Sequence, residues 1–137
     1  MSIKILNCVI CEDIRQEIGN KATLLGYIGV LPDVEMWVEK VLEPVKQIML
    51  LFQCDKGEGG FSLEPRLLDP TGKNIIGERG PITGNLHAEA RTVLGVGLAN
   101  IVFGVEGEYR CQLLDGNRLI FDEIFSIRAG SPSVGGF

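Results

Sequence analysis

The amino-acid sequence predicts an all-β protein, an antiparallel two-sheet β-sandwich of about seven or eight strands. Two observations carry that prediction. Apolar residues recur mostly at period two or in short continuous runs, and turn-forming residues interrupt them about every ten positions. At 137 residues the chain makes one domain, placed at residues 1–128, and buries roughly two thirds of its unfolded surface with no need of a metal or disulfide.

Ile3 to Glu12 forms the first strand and Lys21 to Leu31 the second. Gly19-Asn20 between them suits a two-residue hairpin turn, because both residues accept the positive φ of the primed turns. In that register Ile18 opposes Lys21 and Arg15 opposes Leu24. Ile14, Ile18, Leu25 and Tyr27 then share one face, while Asp13, Arg15 and Glu17 share the other. Val34, Trp37, Val38, Val41, Leu42 and Val45 fit a helical stripe, yet Val34, Met36 and Val38 also fit a short strand. The strand reading, followed by a loop at Pro44, is preferred.

Lys46 to Cys54 is apolar on both faces and belongs in the middle of a sheet or under a second layer. After the loop DKGEGG, Phe61, Leu63, Pro65 and Leu67 alternate with polar residues. Pro65 cannot donate to a ladder, which places this strand at an edge or a bulge. DPTG at Asp69 to Gly72 is a turn, and Gly77 to Ala90 reads as a long loop. Thr92 to Phe103 is a long β segment broken by Gly95 and Gly97. Gly107 to Leu114 and Arg118 to Arg128 make a C-terminal hairpin about Asp115-Gly116-Asn117. Residues 129–137, AGSPSVGGF, are small and polar and read as a flexible tail.

Charge and hydropathy exclude several classes. The net charge is −5, and the 13 lysines and arginines are too scattered to follow a phosphate backbone, so nucleic acid is not an expected partner. No apolar stretch reaches the roughly 20 residues that span a bilayer, and the start lacks the charged-then-apolar order of a secretory signal. A cytoplasmic location with reduced cysteines is therefore expected. Hydrophobic residues are 45% of the chain, with a mean hydropathy of +0.21. That apolar balance suggests surface covered by a partner or another copy.

No catalytic set emerges. Cys8 and Cys11 stand at Cys-x-x-Cys spacing, with Cys54 and Cys111 as possible further zinc ligands, but residues three apart on a strand point to opposite faces. Buried, reduced thiols are expected instead, with no metal and no cofactor. His87, the single histidine, lies in a loop beside Glu89 and Arg91, where nothing supplies a nucleophile and no GxSxG elbow occurs. The glycines of GEGG and GLANIVFG lack the following helix that a phosphate site requires. Asp13, Asp33, Asp55, Asp69 and Asp115 sit at strand ends, but without the spacing of a calcium loop. Asp13, Arg15 and Glu17 make a self-neutralising ladder on the hairpin, with a partner-contacting patch as the functional alternative.

GEYRC at Gly107 to Cys111 has the Tyr-x-Cys spacing of the tyrosine corner of immunoglobulin domains, in which the phenol ties back to upstream backbone. The Cys…Trp…Cys order is missing, because Trp37 precedes Cys54, so a corner at Tyr109 is expected without the immunoglobulin disulfide. CEDIRQE with GNKATLLGYIG, LLDPTGK, and NIVFGVEGEYRCQLLDGNRLIFDEIFSI resemble an uncharacterised family of small, mostly bacterial β-sandwich proteins, a domain of unknown function. The resemblance implies a compact antiparallel sandwich, immunoglobulin-like or related, and favours a strand at Val34 to Val38. It implies no activity.

The expected function is non-enzymatic: protein–protein contact or self-association through an exposed strand edge. The alternative is a sugar or small-molecule binding module at one end of the sandwich, with Trp37 stacking on the ligand. A metal-dependent hydrolase using His87 ranks third.

Overall fold

Period-two patterning becomes alternating burial. The computed structural model describes residues 3–19, 21–77 and 79–130. Its described residues form nine strands in two sheets. The first sheet has the order β2 (Lys21–Val30), β1 (Ile5–Glu17), β4 (Pro44–Cys54), β7 (Thr92–Val102). The second has the order β3 (Glu35–Val38), β9 (Arg118–Ala129), β8 (Gly107–Asp115), β5 (Gly60–Leu68), β6 (Ile82–Asn85). The β-sandwich that the sequence predicts is thus the observed fold.

The core lies between the sheets. Cys8 and Ile10 of β1, Ile48, Leu50 and Phe52 of β4, and Leu94, Val96 and Leu98 of β7 face Leu63, Leu67, Tyr109, Cys111, Leu113, Phe125 and Ile127 from the opposite layer. The β7–β8 connection crosses between the layers and is locked there by Tyr109. Its phenol donates a 2.6 Å hydrogen bond to the Val105 carbonyl, and its ring packs edge-on against Phe103 at 5.3 Å. The tyrosine corner expected from GEYRC is therefore present.

Several expectations need correction. β1 runs on to Glu17, and Glu17 pairs with Lys21, so the hairpin loop holds three residues, 18–20, rather than two; Asn20 lies outside the described residues. One extra loop residue shifts the register by one, and such a slip exchanges the faces of a strand. Arg15 opposes Thr23 and Asp13 opposes Leu25, so Leu25 shares the face of the charged ladder instead of that of Ile14.

The long loop from Gly77 to Ala90 contains a strand, β6, which makes one more strand than expected. It pairs with Gly60 to Leu63, and the Phe61 ring lies over Gly84, where a Cβ would come within 2.6 Å of it and force the ring to shift. β5 pairs with β6 only as far as Leu63, so Pro65 does sit beyond the paired segment, at a local edge. β7 runs unbroken through Gly95 and Gly97. Its irregularity falls at Asn100, whose φ of 54° reverses the alternation and turns both Leu98 and Ile101 inward. Pro44 begins β4 instead of lying in a loop.

β3 is a strand, as preferred, but it runs parallel to β9. It follows β2 of the other sheet, and a chain that changes layers is free of the hairpin constraint that imposes antiparallel pairing. β9 extends to Ala129, opposite Val38, and Gly130 donates to the Val38 carbonyl. The remainder of the expected tail, residues 131–137, lies outside the described residues.

Tyr109→Phe keeps the ring packing and removes the corner hydrogen bond. Urea unfolding should show a loss of about 1–3 kcal/mol, with the fold retained by circular dichroism.

Candidate functional site

Beyond Cys11 the β1–β2 hairpin overhangs the core, so most side chains on both of its faces are exposed. Under that overhang lie β3, the turn that follows it, and the start of β4. Together they enclose a cleft of about 850 Å³. Its walls carry the carboxylates of Glu12, Asp13, Glu35, Glu39 and Glu43 against the ammonium groups of Lys40 and Lys46, with Trp37 and Tyr27 as the aromatic surface.

Local contacts hold several of these groups. Asp13 accepts a 2.9 Å hydrogen bond from the Gln47 amide. Glu35 lies 3.6 Å from the guanidinium of Arg128 on the neighbouring strand. Glu12 folds over Gly26, where a Cβ would lie 2.5 Å from its carboxyl carbon; the φ of +62° there also favours glycine.

The five residues singled out in the sequence are distributed unevenly. Asp13 and Trp37 both line the cleft, with Trp37 38% exposed. Arg15 and Glu17 are farther along the hairpin, paired to each other at 2.7 Å, and Thr23 adds a 3.2 Å bond to Glu17. Such an exposed pair contributes little stability. His87 is at the opposite end, since Cys54 of β4 pairs with Thr92 whereas Pro44 pairs with Val102. There it shares a shallow hollow with Ala88, Glu89 and Ala90, and its carbonyl accepts from the Gly57 amide. Glu12, Glu39 and Glu43 were not anticipated as site residues. The four-residue spacing of Glu35, Glu39 and Glu43 is a signal, but it acquires meaning only once β3 is known to change sheets.

A second feature is the outer face of the first sheet. Cross-strand partners share a face, and two apolar rows cross all four strands: Val30–Val9–Leu51–Gly95, and Tyr27–Cys11–Met49–Gly97. Amide side chains bound this band on both sides. Asn7 donates to Gln53 at 3.1 Å along one border, and Gln47 to Asp13 along the other. The band ends on β7, an 11-residue edge strand with no charged residue. Beside the edge, Ile75, Ile76, Arg79 and Pro81 face Gly97 to Val102 across a gap of about 820 Å³.

The cysteines form no metal site: among the described residues no three His, Cys, Asp or Glu side chains gather around a common point. All four thiols are buried and free. The neighbouring Cys111 thiol, together with burial, raises the Cys8 pKa. Burial raises that of Cys11 and pushes that of Cys54 up to about 11. Among the described residues no helix is long and apolar enough to cross a membrane.

No family model matches the chain, and no curated protein matches it. Among solved structures, an immunoglobulin-like protein from Pseudomonas aeruginosa aligns over 93% of this chain and 98% of that chain, at 16% identity and a TM-score of 0.40.

Because the thiolate is the reactive species, the folded protein should resist a thiol-specific disulfide reagent at mildly alkaline pH. Absorbance should report far less than one thiol per chain within minutes, and all four after denaturation.

Proposed function

We propose that this chain is a non-enzymatic, cytoplasmic protein-contact module, and that its contact surface is the β7 edge with the adjoining apolar band. One observation carries the reading: the uncharged rows on the outer sheet face end on a long, uncharged edge strand. Exposed edges template pairing with another chain, so soluble sandwiches commonly blunt them with charge, proline or brevity. β3 and β6 are blunted by brevity, at four residues each. β7 carries none of these devices, and Val93 at its start is 56% exposed. The buried thiols are in keeping with a reducing compartment.

A photo-crosslinking residue introduced at Val93 in living cells should give a discrete protein adduct. The same residue at Glu123, on the second sheet, should give none. Absence of an adduct from Val93 overturns the reading.

The cleft favours a second reading, a small-molecule site, because it brings Trp37 and Asp13 together. Its excess of carboxylates opposes anions and suits neutral polyols or cations. Titration with a panel of sugars and polyamines should shift Trp37 emission saturably, and Glu12→Gln should weaken the response to cations. A flat emission across the panel removes this reading.

A further inference from the structure

We propose that β7 pairs antiparallel with β7 of a second copy of this chain, joining two four-stranded sheets into one eight-stranded sheet. The inference rests on the protein-contact reading and names the partner.

Backbone direction is the first ground. The Arg79 guanidinium donates to the Gly97 carbonyl at 3.5 Å, from the side away from β4. The peptide groups of Gly97 therefore point to the open edge. By the two-residue period of a strand, so do those of Val93 and Gly95. Arg79 occupies the place where a neighbouring strand's N–H would donate. Its side chain is flexible and can be displaced.

Charge selects the partner. A two-fold contact brings identical patches together, so any charge in the patch meets itself or its own neighbours. At a net charge of −5, two copies repel each other overall. The Thr92–Val102 strand itself carries no charge, and Arg79, the cation laid against it at Gly97, is displaced when the second copy pairs. The other long edge, β2, is less suited: it begins with Lys21, and both Gly26, with a φ of 62°, and the register shift against Ile10 and Cys11 interrupt its middle, whereas the left-handed Asn100 of β7 lies outside the Val93–Gly97 stretch.

Continuity and shape agree with that choice. With the two-fold axis passing between the Gly95 residues, Val93 of each copy lies opposite Gly97 of the other. The edge-directed peptide groups then form matched hydrogen-bonded pairs. The apolar rows that stop at Gly95 and Gly97 run on into the second copy. Neither glycine places a side chain in the way, and Val93 from the second copy covers the bare backbone.

The test is sedimentation of the full chain over a wide concentration range. Wild type should approach twice the 14.9 kDa chain mass. Gly95→Pro removes an edge-directed N–H without touching the β4 ladder. A Cβ at Gly95 meets Leu51 and Met49 at an ordinary 3.6 Å, so the fold should persist. Val93→Lys adds a charge at an exposed position. Each variant should raise the dimer dissociation constant at least tenfold, with circular dichroism unchanged.

A wild type that stays monomeric, or a dimer indifferent to both variants, overturns the proposal. If the wild type is monomeric while the Val93 crosslink captures a different protein, self-pairing fails and the contact reading stands. With neither dimer nor adduct, both fall.

Discussion

The molecule depends on one constraint: β4 is apolar on both faces and must be covered on both. Its inner residues Ile48, Leu50 and Phe52 are covered by the second sheet. Its outer residues Met49 and Leu51 are flanked in the same sheet by Cys11 and Val9 on one side and by Gly97 and Gly95 on the other. A doubly apolar strand is stable only at the centre of a sheet, with neighbours on each side. That requirement draws β1 and β7 onto it and fixes the order of the first sheet. The glycines leave the cover incomplete on the β7 side, and the asymmetry of that sheet begins there.

Much of the fold was legible because alternation is a local property. Strands β4, β8 and β9 can be read from their side-chain order, and the Tyr-x-Cys spacing marks the corner before any coordinates exist. Register was less legible. A two-residue and a three-residue loop at Gly19 differ by a single position, yet that position decides whether Leu25 shares a face with Ile14 or with Asp13. β6 was hidden for another reason. A four-residue strand rich in glycine and threonine has little periodicity of its own, and the partner strand supplies its definition.

The candidate surfaces were partly legible. Asp13 and Trp37 stood out individually, but their meeting depends on β3 leaving the first sheet and lying parallel to β9. Nothing local in the sequence encodes that move. His87 attracted notice as the single histidine, whereas its isolation at the far end is a matter of topology. The band across the outer face was the least accessible, because its rows assemble residues from four strands through three sets of pairings.

The irregularity of β2 has a consequence for the size any assembly reaches. Growth by edge addition needs two competent rims on each subunit, one to receive and one to offer. A left-handed glycine and a skipped residue roughen one rim, so association of the proposed kind through the Val93–Gly97 rim would saturate as a closed pair. A protein pairing in that way would avoid becoming the seed of a fibre.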